Sequence, residues 1–376
     1  MSGAFSLRQL ESGFLAPLVG FLVDRWGPRV IIISGVIIGG AGMVWLSFIN
    51  SAWMFYASLM LVSFGASGAS HGISWPTAVS NWFKRLRGRA LGISFLGPVV
   101  GGPFIITITY LEAALGWRMS ILLLGIGVWI IGIPLGLLAR SRPEPYGYLP
   151  DGDTPEYDPD REARRRSGTS SIALHDEPLI GLTFQQALRT KPFWFLVTIT
   201  GIHGLGVSGL MTHQIPYFES IGFSSQEAAI AVGLIFVLSG IGRLASGSLM
   251  DFVDPRLVLA AVLVVQALSY FMLVFAHSFW QVAIFALLFG VAFGSAIPAR
   301  PIIIRSLFGN RAFGAIQGLS QGAAVIMGVF GPLFLGIVFD TVGNYTPAII
   351  ALGVLTALIV PLPLIMDSTT KALTVR

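Results

Sequence analysis

Apolar segments of about 20 residues alternate with short polar loops along most of the chain. Each is long enough for a helix to cross roughly 30 Å of hydrocarbon. Sustained two-residue alternation is absent, which argues against a membrane-spanning barrel. The pattern therefore predicts an all-α polytopic membrane protein of eleven spans, at residues 5–23, 30–49, 53–80, 89–110, 117–139, 193–218, 227–249, 256–276, 279–304, 311–339 and 346–366.

One extended polar region interrupts this pattern, between about residues 141 and 190. It is rich in turn-forming residues and contains a basic run at 161–166, so we expect a largely disordered cytoplasmic linker. Regulation or lipid-headgroup binding by these arginines is the alternative. The linker divides the chain into a predicted N-terminal bundle of five spans, 1–140, and a C-terminal bundle of six spans, 191–376.

Composition supports a membrane location. Of the 376 residues, 54% are hydrophobic and 11% are charged, against about 25% charged residues in an average soluble domain. The sequence contains no cysteine, which excludes disulfides, thiolate metal sites and cysteine nucleophiles.

The net charge of +5 is explained by membrane topology rather than by nucleic-acid binding. If the spans alternate in direction, all of the 23 lysines and arginines fall on one side except Arg8, Arg118, Arg243 and Arg300. The positive-inside rule makes that side cytoplasmic. We therefore expect a multi-pass protein of the inner (cytoplasmic) membrane whose central loop and C-terminus lie in the cytoplasm.

A charged loop after the first span recurs half a chain later. Residues 20–29 (GFLVDRWGPR) align with residues 247–256 (GSLMDFVDPR) at one constant offset. A duplicated charged loop in a hydrophobic chain indicates a membrane protein built from two repeated halves. The alignment pairs Gly20 with Gly247, Asp24 with Asp251, Pro28 with Pro255 and Arg29 with Arg256.

These motifs resemble those of the major facilitator superfamily. Residues 20–29 are similar to the signature loop between that family's second and third helices. Residues 81–92 (NWFKRLRGRALG) resemble the loop between the fourth and fifth helices of monocarboxylate carriers and bacterial oxalate:formate exchangers. The resemblance implies the major facilitator fold: twelve helices in two six-helix bundles with pseudo-two-fold symmetry and the substrate between them. It also identifies the first predicted span as the family's second helix, so we expect the family's first helix to be missing.

In that family the repeated loop acts as a cytoplasmic latch that favours one of two access states; simple topology anchoring is the alternative. The helix dipole disfavours an acid such as Asp24 at a helix C-terminus. Asp24 therefore needs the N-terminus of a neighbouring helix or a cation. Phe252 and Asp254 depart from the pattern, so we expect the second copy to form the weaker latch. The predicted gate residues are Asp24, Arg25, Arg29, Arg89, Asp251 and Arg256, of which Arg25, Arg29 and Arg89 are the candidate cations for Asp24.

Arg243 is the main candidate for substrate binding. It lies eight residues before Asp251, about 12 Å from the cytoplasmic edge, and small neighbours leave room beside it. A guanidinium stays charged when buried and binds a carboxylate through two parallel hydrogen bonds. The surrounding sequence resembles the eighth helix of monocarboxylate carriers, whose arginine binds the substrate carboxylate. A structural ion pair or snorkelling towards the cytoplasm is the alternative.

Further polar or aromatic residues within spans are candidates for the cavity wall. Ionisable groups inside a membrane are costly and therefore candidates for function, although membrane histidines and aromatics often only pack. Carbonyls freed by the neighbouring prolines could also hold Arg300 without a ligand. The predicted substrate-binding residues besides Arg243 are Arg300, His203, His71, Gln321 and Tyr217, and Trp75 and Gln317 are further wall candidates.

Three positions bear on substrate and coupling. Gln321 stands where the exchanger pattern has a lysine, so a second fixed cation is absent there and a monocarboxylate or a neutral organic solute is favoured over a dicarboxylate. Ser239 stands where monocarboxylate carriers have an acid, which puts that route of proton coupling in doubt. Glu11 is the only acid well inside a predicted span and is the candidate for a coupling proton; a local pair with Arg8 is the alternative.

The predicted function is secondary active transport of a small organic anion, a monocarboxylate, by alternating access with proton symport or anion exchange. The expected partners are this anion, a coupling proton or counter-anion and the lipid bilayer, without nucleic acid, and a monomer is expected. No nucleotide loop, metal-ligand cluster or catalytic constellation is found, so we expect neither an enzyme nor a metal or cofactor. The alternatives are an efflux carrier for hydrophobic compounds and an inactive truncated transporter.

Overall fold

The computed structural model describes residues 2–69, 72–97, 102–152 and 181–366. The first half, before the central loop, contains α1 (Ser2–Trp26), α2 (Pro28–Ser47), α3 (Ala52–Ala69), α4 (Ser74–Trp82), α5 (Arg87–Ser94) and α6 (Gly102–Leu138). The second half contains α7 (Phe184–Leu188), α8 (Lys191–Ser220), α9 (Ser225–Leu249), α10 (Pro255–Val274), α11 (Phe279–Phe308), α12 (Phe313–Val342) and α13 (Thr346–Ile359).

Eight helical segments of the described chain are long and apolar enough to cross a membrane, and each overlaps a predicted span. The other three predicted spans also contain helix, in α1, in α5 with the start of α6, and in α13. The predicted all-α polytopic architecture is therefore confirmed. The eight segments are Pro28–Ser47, Ala52–Trp82, Tyr110–Leu138, Lys191–Ser220, Ser225–Leu249, Pro255–Val274, Phe279–Phe308 and Phe313–Val342.

Local sequence signals set several helix boundaries. Gly27 has φ 82°, which permits the turn between α1 and α2, and Pro28 occupies the first turn of α2, where its missing N–H is not needed. Gly116 has φ 75° and interrupts α6 at the predicted boundary between the fourth and fifth spans. A capping box formed by Ser224 and Glu227 starts α9.

Two helix pairs join the halves at the end of the molecule that carries both repeated loops, which we call the loop end. In these pairs α1 packs against α12, and α5 packs against α9. A Cβ on Gly20 would lie 2.0 Å from the carbonyl oxygen of Gly314, and one on Gly88 would lie 2.0 Å from that of Gly247. The halves therefore touch backbone to backbone, which only small residues allow.

The larger buried clusters among the described residues lie mostly in the second half. One surrounds Phe193 and Phe308, and another surrounds Phe218 and Phe289. The cluster of the first half, around Val19, is smaller. The helices of the second half thus form a tightly packed frame for the side chains that they present to the first half.

Both ends of the central loop are attached to the bundles. The Asp151 carboxylate accepts the backbone N–H of Lys84 at 3.0 Å. The backbone N–H of Leu182 donates to the carbonyl oxygen of Phe308 at 3.0 Å. These ends are ordered parts of the predicted linker, and residues 153–180 lie outside the described residues.

Candidate functional site

A cavity of about 260 Å³ lies between the two halves; we call it the central cavity. The region around α4 and α5 supplies one wall, and α9, α11 and α12 supply the other. The structure thus brings together three sequence-predicted substrate residues from three different helices. The lining residues are Gly72, Phe95, Arg243, Ile297, Arg300, Gln317 and Gln321.

Arg243 projects from α9 and is 4% exposed. Its Nη1 donates across the halves to the carbonyl oxygen of Phe95 at 2.5 Å. Its buried Nε has no hydrogen-bond partner among the described residues, and no carboxylate in this part of the chain pairs with it. Because the guanidinium stays charged, its remaining N–H groups can bind an anion that enters the cavity.

The small residues around Arg243 serve in part to pack α9 against α11. A Cβ on Gly242 would lie 2.3 Å from the carbonyl oxygen of Val291, and one on Gly294 would lie 1.9 Å from that of Ser239. This contact holds Arg243 in a fixed position relative to Ile297 and Arg300, the α11 residues that line the central cavity.

Arg300 reaches the same cavity from α11. Its Nη1 donates to the amide oxygen Oε1 of Gln321 on α12, and its Nε has no partner among the described residues. The sequence argument that Gln321 leaves the cavity without a second fixed cation is therefore incomplete. The neighbouring helix brings a guanidinium to this position.

Gln317 links the two halves across the cavity. Its Nε2 donates to the carbonyl oxygen of Gly72 at 3.0 Å, while its buried Oε1 has no partner within the described chain. The carbonyl groups of Gly72 and Phe95 are parts of the site that sequence reasoning missed. No side-chain pattern indicates which backbone oxygen faces a cavity.

Two predicted substrate residues do not line the central cavity. His203 is buried on α8, where its Nδ1 lies 2.8 Å from Oε1 of Gln266, and it faces a separate narrow cleft that includes Arg300. Tyr217 is 4% exposed, and its hydroxyl donates to the carbonyl oxygen of Leu273 at 2.8 Å. Tyr217 therefore serves the packing of the second half in this conformation.

The remaining membrane candidates are Glu11, Trp75 and His71. Glu11 is half-buried on α1 and is not among the residues that line the central cavity. The indole N–H of Trp75 donates to the carbonyl oxygen of Ala69 at 3.1 Å. His71 lies outside the described residues.

Both acids of the repeated loop bind the N-terminus of a helix in the opposite half. Asp24 accepts the backbone N–H of Gly314 at 2.7 Å and that of Ala315 at 2.8 Å, at the start of α12. Asp251 accepts the N–H of Gly88 at 2.6 Å and that of Arg89 at 2.9 Å, at the start of α5. Helix N-termini carry unpaired donors and partial positive charge, so they stabilise these carboxylates.

We call these two carboxylate–amide contacts the latches. The predicted gate arginines do not take part in them through their side chains. Within the described chain, the side chains of Arg25, Arg29 and Arg89 form no ion pair with Asp24 or Asp251. The guanidinium whose charge acts on Asp24 is that of Arg305. Arg29 donates through Nη2 to the carbonyl oxygen of Leu137 at 2.8 Å, which ties α2 to α6. Arg25 lines a polar cavity at the loop end, and Arg89 contributes its backbone N–H.

Arg256 also acts within its own half. Its guanidinium forms a 2.7 Å ion pair with Asp254 and donates to the carbonyl oxygen of Met366 at 2.5 Å. The hydrogen bonds from Arg256 lower the pKa of Asp254. Asp254 in turn accepts the backbone N–H of Arg256 and caps α10.

Comparison with known sequences gives matches over the whole chain. The family model described as Major Facilitator Superfamily matches residues 1–251 and 199–375. Monocarboxylate transporter 12 of Rattus norvegicus is 24% identical over 357 residues, which cover 90% of this chain and 71% of the relative. The multidrug resistance protein MdtG of Dickeya zeae is 24% identical over 342 residues, which cover 88% of this chain and 75% of the relative.

Solved structures share the fold at lower identity. A fucose:proton symporter of E. coli superposes with a TM-score of 0.70 at 16% identity, covering 98% of this chain and 91% of that chain. The human organic anion transporter MFSD10 superposes with a TM-score of 0.65 at 16% identity, covering 96% of this chain and 82% of that chain.

Proposed function

The chain belongs to the major facilitator superfamily, whose members are transporters rather than enzymes, and from this premise we propose that it carries a small organic anion, a monocarboxylate, by alternating access. The central observation is Arg243. It is a buried guanidinium between the two halves, it has no acidic partner among the described residues, and one of its donors is unsatisfied. Such a group binds a carboxylate with charge-assisted hydrogen bonds.

The two guanidinium groups of the cavity have different surroundings. Arg300 already donates to the Gln321 amide, so we assign the carboxylate to Arg243. Arg300 then adds positive potential and closes the cavity wall. Relatives named monocarboxylate transporters support a substrate with one carboxylate.

We assign the two latches to the closed state of the cytoplasmic gate. The placement of basic residues makes the loop end cytoplasmic. Opening that end would break four amide–carboxylate hydrogen bonds, and hydrogen bonds to charged groups contribute about 1.5–3 kcal/mol each. Substrate or coupling ion must therefore favour the open state by a comparable differential affinity.

Proton symport and anion exchange are the two proposed coupling modes. Glu11 remains the proposed proton carrier because it is an acid on α1 that lies partly buried. We further propose that the bundles 1–140 and 191–376, joined by a cytoplasmic linker at 141–190, act as a monomer in the inner membrane.

Efflux of hydrophobic compounds is the second candidate function. The observation that favours it is the relative named multidrug resistance protein MdtG, together with the apolar side chains of Phe95 and Ile297 in the cavity wall. An efflux substrate without a carboxylate would not depend on the Arg243 guanidinium.

Uptake of labelled formate, lactate and pyruvate into proteoliposomes tests the proposal. We expect Arg243→Ala to reduce uptake roughly 100-fold, because it removes a charge-assisted pair at a buried guanidinium. Arg243→Lys keeps the charge but loses the planar pair of donors, so it should retain partial uptake.

Arg118→Ala is the matched control. This exposed arginine donates to the carbonyl oxygen of Ile49 at 2.8 Å, away from the central cavity, and its loss should leave uptake within about twofold. Correctly inserted Arg243→Ala protein with unchanged uptake would refute the assignment. Export of hydrophobic dyes that is insensitive to Arg243→Ala would favour the efflux function.

A further inference from the structure

A second polar cavity, of about 250 Å³, lies at the loop end; we call it the basic pocket. The end of α1, the helix α4, the start of the central loop and the connection between α11 and α12 all contribute to it. Both halves and the central loop therefore meet at this point. Its charged lining residues are Asp24, Arg25, Arg142, Glu144, Arg305 and Arg311.

Three of these arginines have no partner among the residues that the structure describes. The side chains of Arg25, Arg142 and Arg311 form no hydrogen bond or ion pair with any described residue. Arg305 differs, since its Nη1 donates to Oδ1 of Asn81 at 3.3 Å. The four arginines of the cavity outnumber its two acids, so the cavity carries an excess of positive charge that favours an anion.

Neither acid of the pocket forms an ion pair with any of these three arginines. Asp24 is bound by the amides at the start of α12. Glu144 has a buried Oε2 without a partner, and so has Oδ1 of Asn310. The pocket therefore offers several guanidinium donors together with two buried acceptors that lack donors.

We propose that the basic pocket binds a phosphate-bearing anion that also carries a hydroxyl or ammonium donor. Guanidinium groups match phosphate oxygens with paired hydrogen bonds. A donor on the same ligand, or on a singly protonated phosphate, would satisfy Glu144 or Asn310. The chemistry fits both a soluble phosphate compound of the cytoplasm and the headgroup of an anionic phospholipid.

Such a ligand would favour the closed loop end. The pocket wall combines Arg25 of the first half, Arg142 of the central loop and Arg311 of the second half. Separation of the halves would move Arg311 away from the other two. Since the ligand binds the assembled pocket better than the separated one, it shifts the population towards the closed state.

Inorganic pyrophosphate is the first probe, added to the purified full chain in detergent. We expect a saturable rise in melting temperature and a binding isotherm, while sodium chloride at equal ionic strength has little effect. Arg142→Gln and Arg311→Gln should each weaken pyrophosphate binding roughly tenfold, because each removes one charged donor. Arg189→Gln, at an exposed arginine outside the pocket, is the matched control and should keep the wild-type affinity.

The natural absence of cysteine allows a conformational readout. A single Ile297→Cys in the central cavity should react with an impermeant maleimide from the loop end only when the gate opens. Saturating pyrophosphate should slow this labelling several-fold in wild-type background and not with Arg142→Gln. This readout needs no transport substrate, so it can fail or succeed independently of the proposed monocarboxylate transport.

Nanodiscs distinguish the two sources of phosphate. Slow labelling in phosphatidylglycerol but not in phosphatidylcholine, with weakened pyrophosphate binding, would identify a lipid headgroup. Equal pyrophosphate affinity in both lipids and in detergent would identify a soluble anion. Pyrophosphate binding that Arg189→Gln weakens as much as Arg142→Gln, or stabilisation reproduced by chloride, would overturn the proposal.

Discussion

The latches at Asp24 and Asp251 have nearly the same local chemistry but different support. Asp24 accepts two amide N–H groups at 2.7 and 2.8 Å, and Asp251 accepts two at 2.6 and 2.9 Å. Asp24 binds the start of α12, a helix of 30 residues. Asp251 binds the start of α5, a helix of 8 residues.

Packing behind the two latches differs accordingly. Along α1 and α12, close approaches continue from Gly20 to Gly13, where a Cβ would lie 2.9 Å from the Ile326 side chain. Along α5 and α9, the corresponding contacts extend from Gly88 to Gly92. The comparison teaches that a duplicated motif repeats a hydrogen-bond pattern without repeating the packing that supports it.

The departures at Phe252 and Asp254 therefore do not disturb the Asp251 contact. Asp254 is engaged in capping α10 and pairing with Arg256. The expectation that the second latch is the weaker one stays a prediction. The physical basis for this expectation is that the packed contact between α5 and α9 is shorter than the one between α1 and α12.

The largest expected effect comes from adding volume at the backbone contacts. Gly20→Val would place a Cβ 2.0 Å from the Gly314 oxygen, and Gly247→Val would place one 2.4 Å from the Gly88 oxygen. Backbone atoms cannot move aside as side chains do, so the halves must separate at a cost of roughly 3 kcal/mol or more. We expect more than 100-fold faster labelling of Ile297→Cys from the loop end, with Gly20→Val the stronger variant.

Gly233→Val is the matched control for Gly20→Val and Gly247→Val. It introduces the same side chain into α9 at a position with open space around the Cβ. It should leave labelling within about twofold. Size-exclusion chromatography checks that Gly20→Val and Gly247→Val fold. Labelling rates equal to that of the control would contradict backbone contact at the loop end.

The second-largest expected effect comes from removing the negative charge of Asp24 or Asp251. Asn in place of Asp leaves one weaker acceptor and directs an NH₂ group at an amide N–H. We expect Asp251→Asn to favour the open state by about 2 kcal/mol, or roughly 30-fold, and Asp24→Asn by about 1 kcal/mol, or roughly fivefold. The longer α1–α12 packing remains after Asp24→Asn, whereas only the shorter contact from Gly88 to Gly92 remains after Asp251→Asn.

Labelling rates of Ile297→Cys in the two Asn backgrounds measure this difference. The double variant should show the sum of the two free energies within about 0.5 kcal/mol, because the latches share no residue. A larger shift from Asp24→Asn than from Asp251→Asn would show that the packed helix pair does not hold the gate.

The loop arginines should have the smallest effects. Arg29→Gln and Arg256→Gln remove contacts made within one half, and partly exposed ion pairs contribute about 1 kcal/mol or less. We expect labelling to change less than about threefold in either variant. The pKa of Asp254 should rise after Arg256→Gln because the hydrogen bonds that lower it are lost. A change as large as that of Asp251→Asn would place Arg256 in the latch itself.

The sequence predicted the latches in part. The unfavourable position of Asp24 at a helix end indicated that it needs a cation or a helix N-terminus. The structure selects the N-terminus for Asp24 and for Asp251. Sequence reasoning could not choose because Arg25 and Arg29 lie within five residues of Asp24, whereas Gly314 lies 290 positions away.

Counting residues along a helix predicted how deep a residue lies in the membrane but not in which direction its side chain points. It placed Arg243 near the middle of a span, and the structure finds it buried in the central cavity. Residue type made Tyr217 a candidate for the cavity wall, but its hydroxyl donates to the carbonyl oxygen of Leu273 within the second half. Depth follows from the rise per residue, while direction depends on which neighbours pack against each face.

The sequence by itself determined the class of protein: apolar runs of membrane length, a duplicated charged loop and an arginine within a span are local properties of the chain. Only the tertiary structure decided which groups meet. It brought Arg300 to Gln321, the Phe95 carbonyl to Arg243, and each latch acid to the helix N-terminus of the other half. The reason is that hydrophobicity is a property of each residue and its sequence neighbours. Hydrogen-bond partners across two bundles depend instead on how helices distant in sequence pack together.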